Sequence, residues 1–84
     1  MEYVIAVYRS RNVSMQAYNY LLSKGITCAL VSTPRAANVG CGLSVKLSKQ
    51  SLPAVRSVLM QGETFVGFFV ARTTYNGVTL SRLI

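Results

Sequence analysis

The chain has 84 residues, of which 51% are hydrophobic and 13% charged, so it is sized for one domain and far too apolar for a disordered one. Nine Lys and Arg stand against Glu2 and Glu63, and the net charge of +7 makes polyanions or an acidic protein the natural partners. With no histidine and only two, widely separated carboxylates, a histidine-dependent triad and a histidine metal ligand are excluded, and a paired-carboxylate acid–base site is disfavoured.

Taken in order, residues 2–8, "EYVIAVY", are β-branched and aromatic and predict a strand. A helix is predicted over 12–24, with Ser10 or Asn12 as cap; Val13, Ala17 and Leu21 recur every fourth residue on one face, and Gly25 stops it. "ITCALVS", 26–32, reads as a second strand, and 33–41 as a loop. "GLSVKLS", 42–48, alternates: Leu43, Val45 and Leu47 point one way, Ser44, Lys46 and Ser48 the other. A second helix is predicted over 51–61 on Leu52, Val55 and Leu59. Ser51 is its cap, Pro53 lies in its first turn, where no helical hydrogen bond is lost, and Gly62 ends it. A fourth strand covers 64–72, and Asn76-Gly77 between β-formers predicts a hairpin returning as a fifth.

The order predicts an α+β chain: a ferredoxin-like βαββαβ sandwich, a single domain over 1–84, with a C-terminal β-hairpin extension and both helices on one face of an antiparallel sheet. The first and fourth strands are apolar on both sides. Helices cover one face only, so the open face is expected to be a homodimer interface. The longest apolar run, Phe65–Ala71, falls well short of the ~20 residues a membrane-spanning helix needs. The start, "MEYVIAVYRSR", lacks the order of a signal peptide, since its arginines follow the apolar run. A cytoplasmic protein is therefore expected. With two cysteines at most one bridge is available, and no disulfide framework or other cofactor is expected.

What chemistry remains lies in "TPRAANVGCGLSV", residues 33–45. Cys41 sits between Gly40 and Gly42, which remove steric cover and leave backbone N–H groups free to turn toward a sulfur. Arg35 in the same loop supplies positive charge for a thiolate or for an anionic group of a partner, and Pro34 ends the second strand and stiffens the loop. The alternative is a small residue in a tight turn. Cys28, mid-strand among Ile26, Ala29 and Leu30, reads as core packing.

At this loop the chain resembles a small bacterial family described as selenium/sulfur carrier protein-like. The resemblance is carried by Gly25-Ile26 after the first helix, Pro34-Arg35 after the second strand and Cys41-Gly42-Leu43 opening the third, over roughly residues 3–70. It implies that Cys41 carries sulfur or selenium as a persulfide or selenosulfide. A cysteine desulfurase-like donor would load it and an acceptor enzyme would unload it; the chain itself would be a carrier, not an enzyme. Two departures stand out: Gly40 replaces a serine common in the family, and the Asn76-Gly77 hairpin extends beyond the usual end.

Two other readings stand beside this one. A regulatory or protein-interaction domain would use Cys41 only as a turn residue. An RNA-binding module would stack bases on sheet aromatics, but "GLSVKLS" has none, and "GFFVAR" at 67–72 is on the wrong strand for that pattern.

Overall fold

The computed structural model describes residues 2–34 and 42–83. Seven elements follow in chain order: β1 (Glu2–Tyr8), α1 (Arg11–Ser23), β2 (Cys28–Ser32), β3 (Leu43–Leu47), α2 (Leu52–Leu59), β4 (Phe65–Thr74) and β5 (Gly77–Arg82). The strands form one sheet of order β2-β3-β1-β4-β5, antiparallel at every pairing. β1 is central because it is apolar on both sides and so tolerates burial on both.

Register divides the strands into two faces. Val4 lies opposite Leu47 and Val70, and Ala6 opposite Val45 and Phe68. Except for Val70, these side chains meet Ala17 and Leu21 of α1 and Leu52, Val55 and Leu59 of α2 in the main core, so both helices cover the same face. Tyr8 closes one end of this core, its ring edge-on to Phe65 at 5.7 Å, with Phe65 edge-on to Phe68 at 4.9 Å. The Tyr8 hydroxyl donates to the Leu59 carbonyl at 2.7 Å and so ties α2 to β1. On the other face Ile5, Val7 and Phe69 form a second, smaller cluster flanked by Tyr3, Val31, Val66 and Leu80.

The helix ends follow local chemistry. Ser10, of the two candidate caps, is the one used: its side chain accepts from the Val13 N–H at 3.3 Å. After the Lys24 cap, Gly25 takes φ +75°, its N–H donating to Leu22 while the Ile26 N–H donates to Leu21. That paired arrangement needs a left-handed residue at Gly25, which glycine adopts without a Cβ penalty.

One expectation holds in position only, and one is corrected. Ser51 stands at the N-cap of α2 but makes no capping bond: its backbone is helical and its hydroxyl pairs with that of Ser48 at 2.9 Å. The hairpin turn is Tyr75-Asn76 rather than Asn76-Gly77, because β4 runs on to Thr74, which pairs with Gly77. Among the described residues no helix is long and apolar enough to cross a membrane.

Candidate functional site

The cysteine loop joins β2 to β3, and its two described ends are clamped. Ser32 and Leu43 are the last paired residues of the ladder. Beyond them the Thr33 N–H donates to the Gly42 carbonyl at 2.9 Å, so the strands stay in hairpin register right up to the loop. The hydroxyls of Thr33 and Ser44, diagonal neighbours across the two strands, share a short hydrogen bond, and Ser44 is fully buried.

A third contact ties this root to the neighbouring helix. Ser14, fully buried on the inner side of α1, donates its hydroxyl to the Leu43 carbonyl at 2.9 Å and stands 3.3 Å from the Ser10 carbonyl. The start of β3 is thus fastened to the first turn of α1. That end of the helix carries the positive pole of the peptide dipoles. Arg9 and Arg11 flank the Ser10 cap, both exposed, and no acidic residue occupies the first turn. The α1 N-terminus to which the loop root is fastened therefore carries positive charge.

The expected site residues fall on both sides of the described boundary. Pro34 is half-buried where the chain leaves β2. Gly42 is exposed and holds φ +88°, with open space where a Cβ would stand, so glycine is required there by conformation and not by crowding. Arg35, Gly40 and Cys41 lie outside the described residues. The residues that sequence reading missed are Ser14, Thr33 and Ser44. Ser14 had one available signal, a serine one helical turn after a serine cap on a mainly apolar face.

Cys28 is on the helix-covered side, at the far end of the β2–β3 ladder from Gly42, where it pairs with Leu47. Its thiol faces the Tyr18 carbonyl at 3.7 Å, and burial pushes its pKa up. A raised pKa keeps it a thiol at neutral pH and makes it a poor nucleophile. This is the packing role its neighbours in sequence suggest. Among the described residues no group of three or more metal-ligating side chains converges.

Gly25-Ile26 at the helix end, Pro34-Arg35 after β2 and Cys41-Gly42-Leu43 before β3 are the positions that carry the resemblance. A family model described as "Putative Se/S carrier protein-like" matches residues 2–66. The chain belongs to this family. The match spans β1 to the start of β4 and contains the whole loop from Pro34 to Gly42. All of β4 after Val66 and all of β5 lie beyond it. No curated protein and no solved structure matches the chain.

Proposed function

We propose that the chain is a sulfur or selenium carrier whose cargo rides on Cys41. The observation that carries this reading is the family match over residues 2–66, which includes the loop cysteine. Three local features support it. The loop hangs from a root pinned by the Thr33–Gly42 and Ser14–Leu43 hydrogen bonds, so a reactive residue beside Gly42 is presented from a rigid scaffold. The first turn of α1, to which the root is bonded, carries Arg11 and no acidic residue. The second cysteine sits half-buried against the core at the other end of the β2–β3 ladder.

The transfer is a thiol exchange with no net redox change. The Cys41 thiolate attacks the outer sulfur of a donor persulfide; the new sulfur–sulfur bond forms as the bond to the donor breaks, and the donor thiolate leaves. Selenium follows the same path through a selenosulfide. Delivery reverses it, with the acceptor as nucleophile. Arg35 is assigned to hold the anionic sulfur or a carboxylate of the partner. Gly40 and Gly42 give the sulfur access, and Pro34 stiffens the approach. On this reading the chain is a carrier rather than an enzyme, with a desulfurase-like donor and an acceptor enzyme as partners. Its work belongs in the cytoplasm, where thiols stay reduced. The strand order β2-β3-β1-β4, with each helix stepping over one strand, is how we assign the core to the ferredoxin-like sandwiches.

The test is intact-protein mass after incubation with a cysteine desulfurase and cysteine. Wild type and Cys28→Ser are expected to gain one sulfur atom that reductant removes; Cys41→Ala is expected to gain none while keeping its thermal melt. Equal loading of the Cys41→Ala protein, or none on wild type, overturns the proposal.

A further inference from the structure

The open face of the sheet is the surface the carrier chemistry leaves unused. Register places Tyr3, Ile5 and Val7 on it from β1, Lys46 from β3, Phe69 from β4 and Arg82 from β5. Its centre is closed, with Ile5 and Val7 fully buried and Phe69 only 7% exposed. Around that centre Tyr3, Val31, Val66 and Leu80 are half-buried. The Lys46 ammonium lies 4.3 Å over the Tyr3 ring, and the Arg82 guanidinium 5.5 Å over Phe69, with one of its N–H groups donating to the Val66 carbonyl. Among the described residues the face carries no carboxylate side chain. Of the chain's two, Glu2 is on the helix side and bonded to Lys49 and Arg72, and Glu63 precedes β4.

We propose that this face docks an acidic partner protein, a carboxylate-rimmed surface with apolar side chains at its middle. The inference concerns the face alone and holds whether or not Cys41 carries a chalcogen. Charge decides the occupant. Two cations lying over a half-buried apolar face meet their complement in carboxylates set beside apolar groups. A second copy of this chain offers none: two such faces bring Lys46 and Arg82 against a surface without a single acid. Nucleic acid is the weaker anion here. Sheet-face binders stack bases on free ring faces, whereas Tyr3 lies beneath Lys46 and Phe69 is buried beneath Arg82. Two cations also neutralise too few phosphates for appreciable affinity at physiological salt.

The face is continuous with the loop root. Val31 and Ser44 stand opposite each other on this side, Ser44 opposite Val7, and the Thr33–Ser44 hydroxyl pair closes its upper end. A partner seated on it therefore lies against the base of the β2–β3 connection.

The experiment titrates the isotope-labelled full chain with a peptide of alternating glutamate and leucine at low ionic strength, followed by amide shifts. The expected shifts cluster at Tyr3, Lys46, Phe69 and Arg82. Affinity is expected to fall about tenfold in Lys46→Glu/Arg82→Glu, and to fall steeply with added salt. Lys46→Met, which keeps the apolar stem, guards against misfolding, and circular dichroism checks each variant. Four outcomes overturn the proposal: no binding; shifts centred on Arg11 and Arg56 of the helices; an oligouridylate that displaces the peptide from the face; or sedimentation showing a dimer of the chain whose interface maps there.

Discussion

Tyr8 is where residue chemistry and stability meet most directly. Its ring is fully buried and its hydroxyl spends its proton on the Leu59 carbonyl. Burial pushes its pKa up to about 12 from the usual 10.0. Ionisation is therefore easier in the unfolded chain. The sign follows: the contribution is complete below pH ~10 and is lost as pH rises toward ~12, where the folded phenol itself titrates. The wild type is expected to lose stability over that window in urea melts followed by circular dichroism. Tyr8→Phe is expected to be weaker at neutral pH by ~1–2 kcal/mol, for the missing hydrogen bond and the carbonyl left behind, and to show a flatter alkaline limb. Cys28, also pushed up by burial, adds a slope of the same sign that both proteins share. An identical alkaline limb in both would remove Tyr8 from the account. Glu2 works in the other direction: bonds from Lys49 and Arg72 hold its carboxyl below its ordinary value, and its contribution fades as pH falls through that lowered value. Both its partners are exposed, so water screens the pairs and little stability rides on them.

The helix ends and the loop root fix where elements begin. Gly25→Ala places a Cβ in open space but at φ +75°, so the cost is conformational alone, ~1 kcal/mol. Gly25→Asn, which tolerates that region, is expected to recover much of it in the same urea titration. Ser14→Ala removes the bond that fastens Leu43 to α1. A loss of ~1–2 kcal/mol is expected, with faster amide exchange at Thr33 and Ser44 if the root loosens as argued. A stability loss without the exchange change would make Ser14 a helix residue only. These elements also show what sequence can and cannot carry. The strand–helix alternation is legible because it rests on periodicity: the four-residue recurrence of Val13, Ala17 and Leu21, and the two-residue alternation of Leu43, Val45 and Leu47. The Gly25 stop is legible because only its own backbone decides it. The Ser14–Leu43 bond joins two elements that sequence cannot place side by side. The shifted turn has the same origin: Asn76-Gly77 marks a hairpin, but the reach of β4 to Thr74 sets its register. At the candidate site the cysteine motif is legible as a pattern, whereas its hydroxyl-clamped root is not.

At the scale of the whole molecule the question is whether β5 belongs to the fold or is appended to it. The family match ends at residue 66, before most of β4 and all of β5. Yet β5 pairs with six residues of β4, from Phe69–Arg82 to Thr74–Gly77, and the Leu83 N–H donates to the Phe68 carbonyl at 2.8 Å. Leu80 packs against the second cluster, and Arg82 lies over Phe69. β5 also takes the edge of the sheet away from β4, a long and apolar strand that would otherwise present a row of unpaired backbone groups. The opposite edge needs no such cover, since β2 is only five residues long. A chain ending at Thr74 is therefore expected to melt lower, by ~10 °C for ~2 kcal/mol of lost burial and pairing. It is also expected to self-associate with concentration in sedimentation velocity while the full chain does not. A Thr74-terminated chain that stays monomeric and melts with the full protein would make β5, and Arg82 with it, an appendage to the open face.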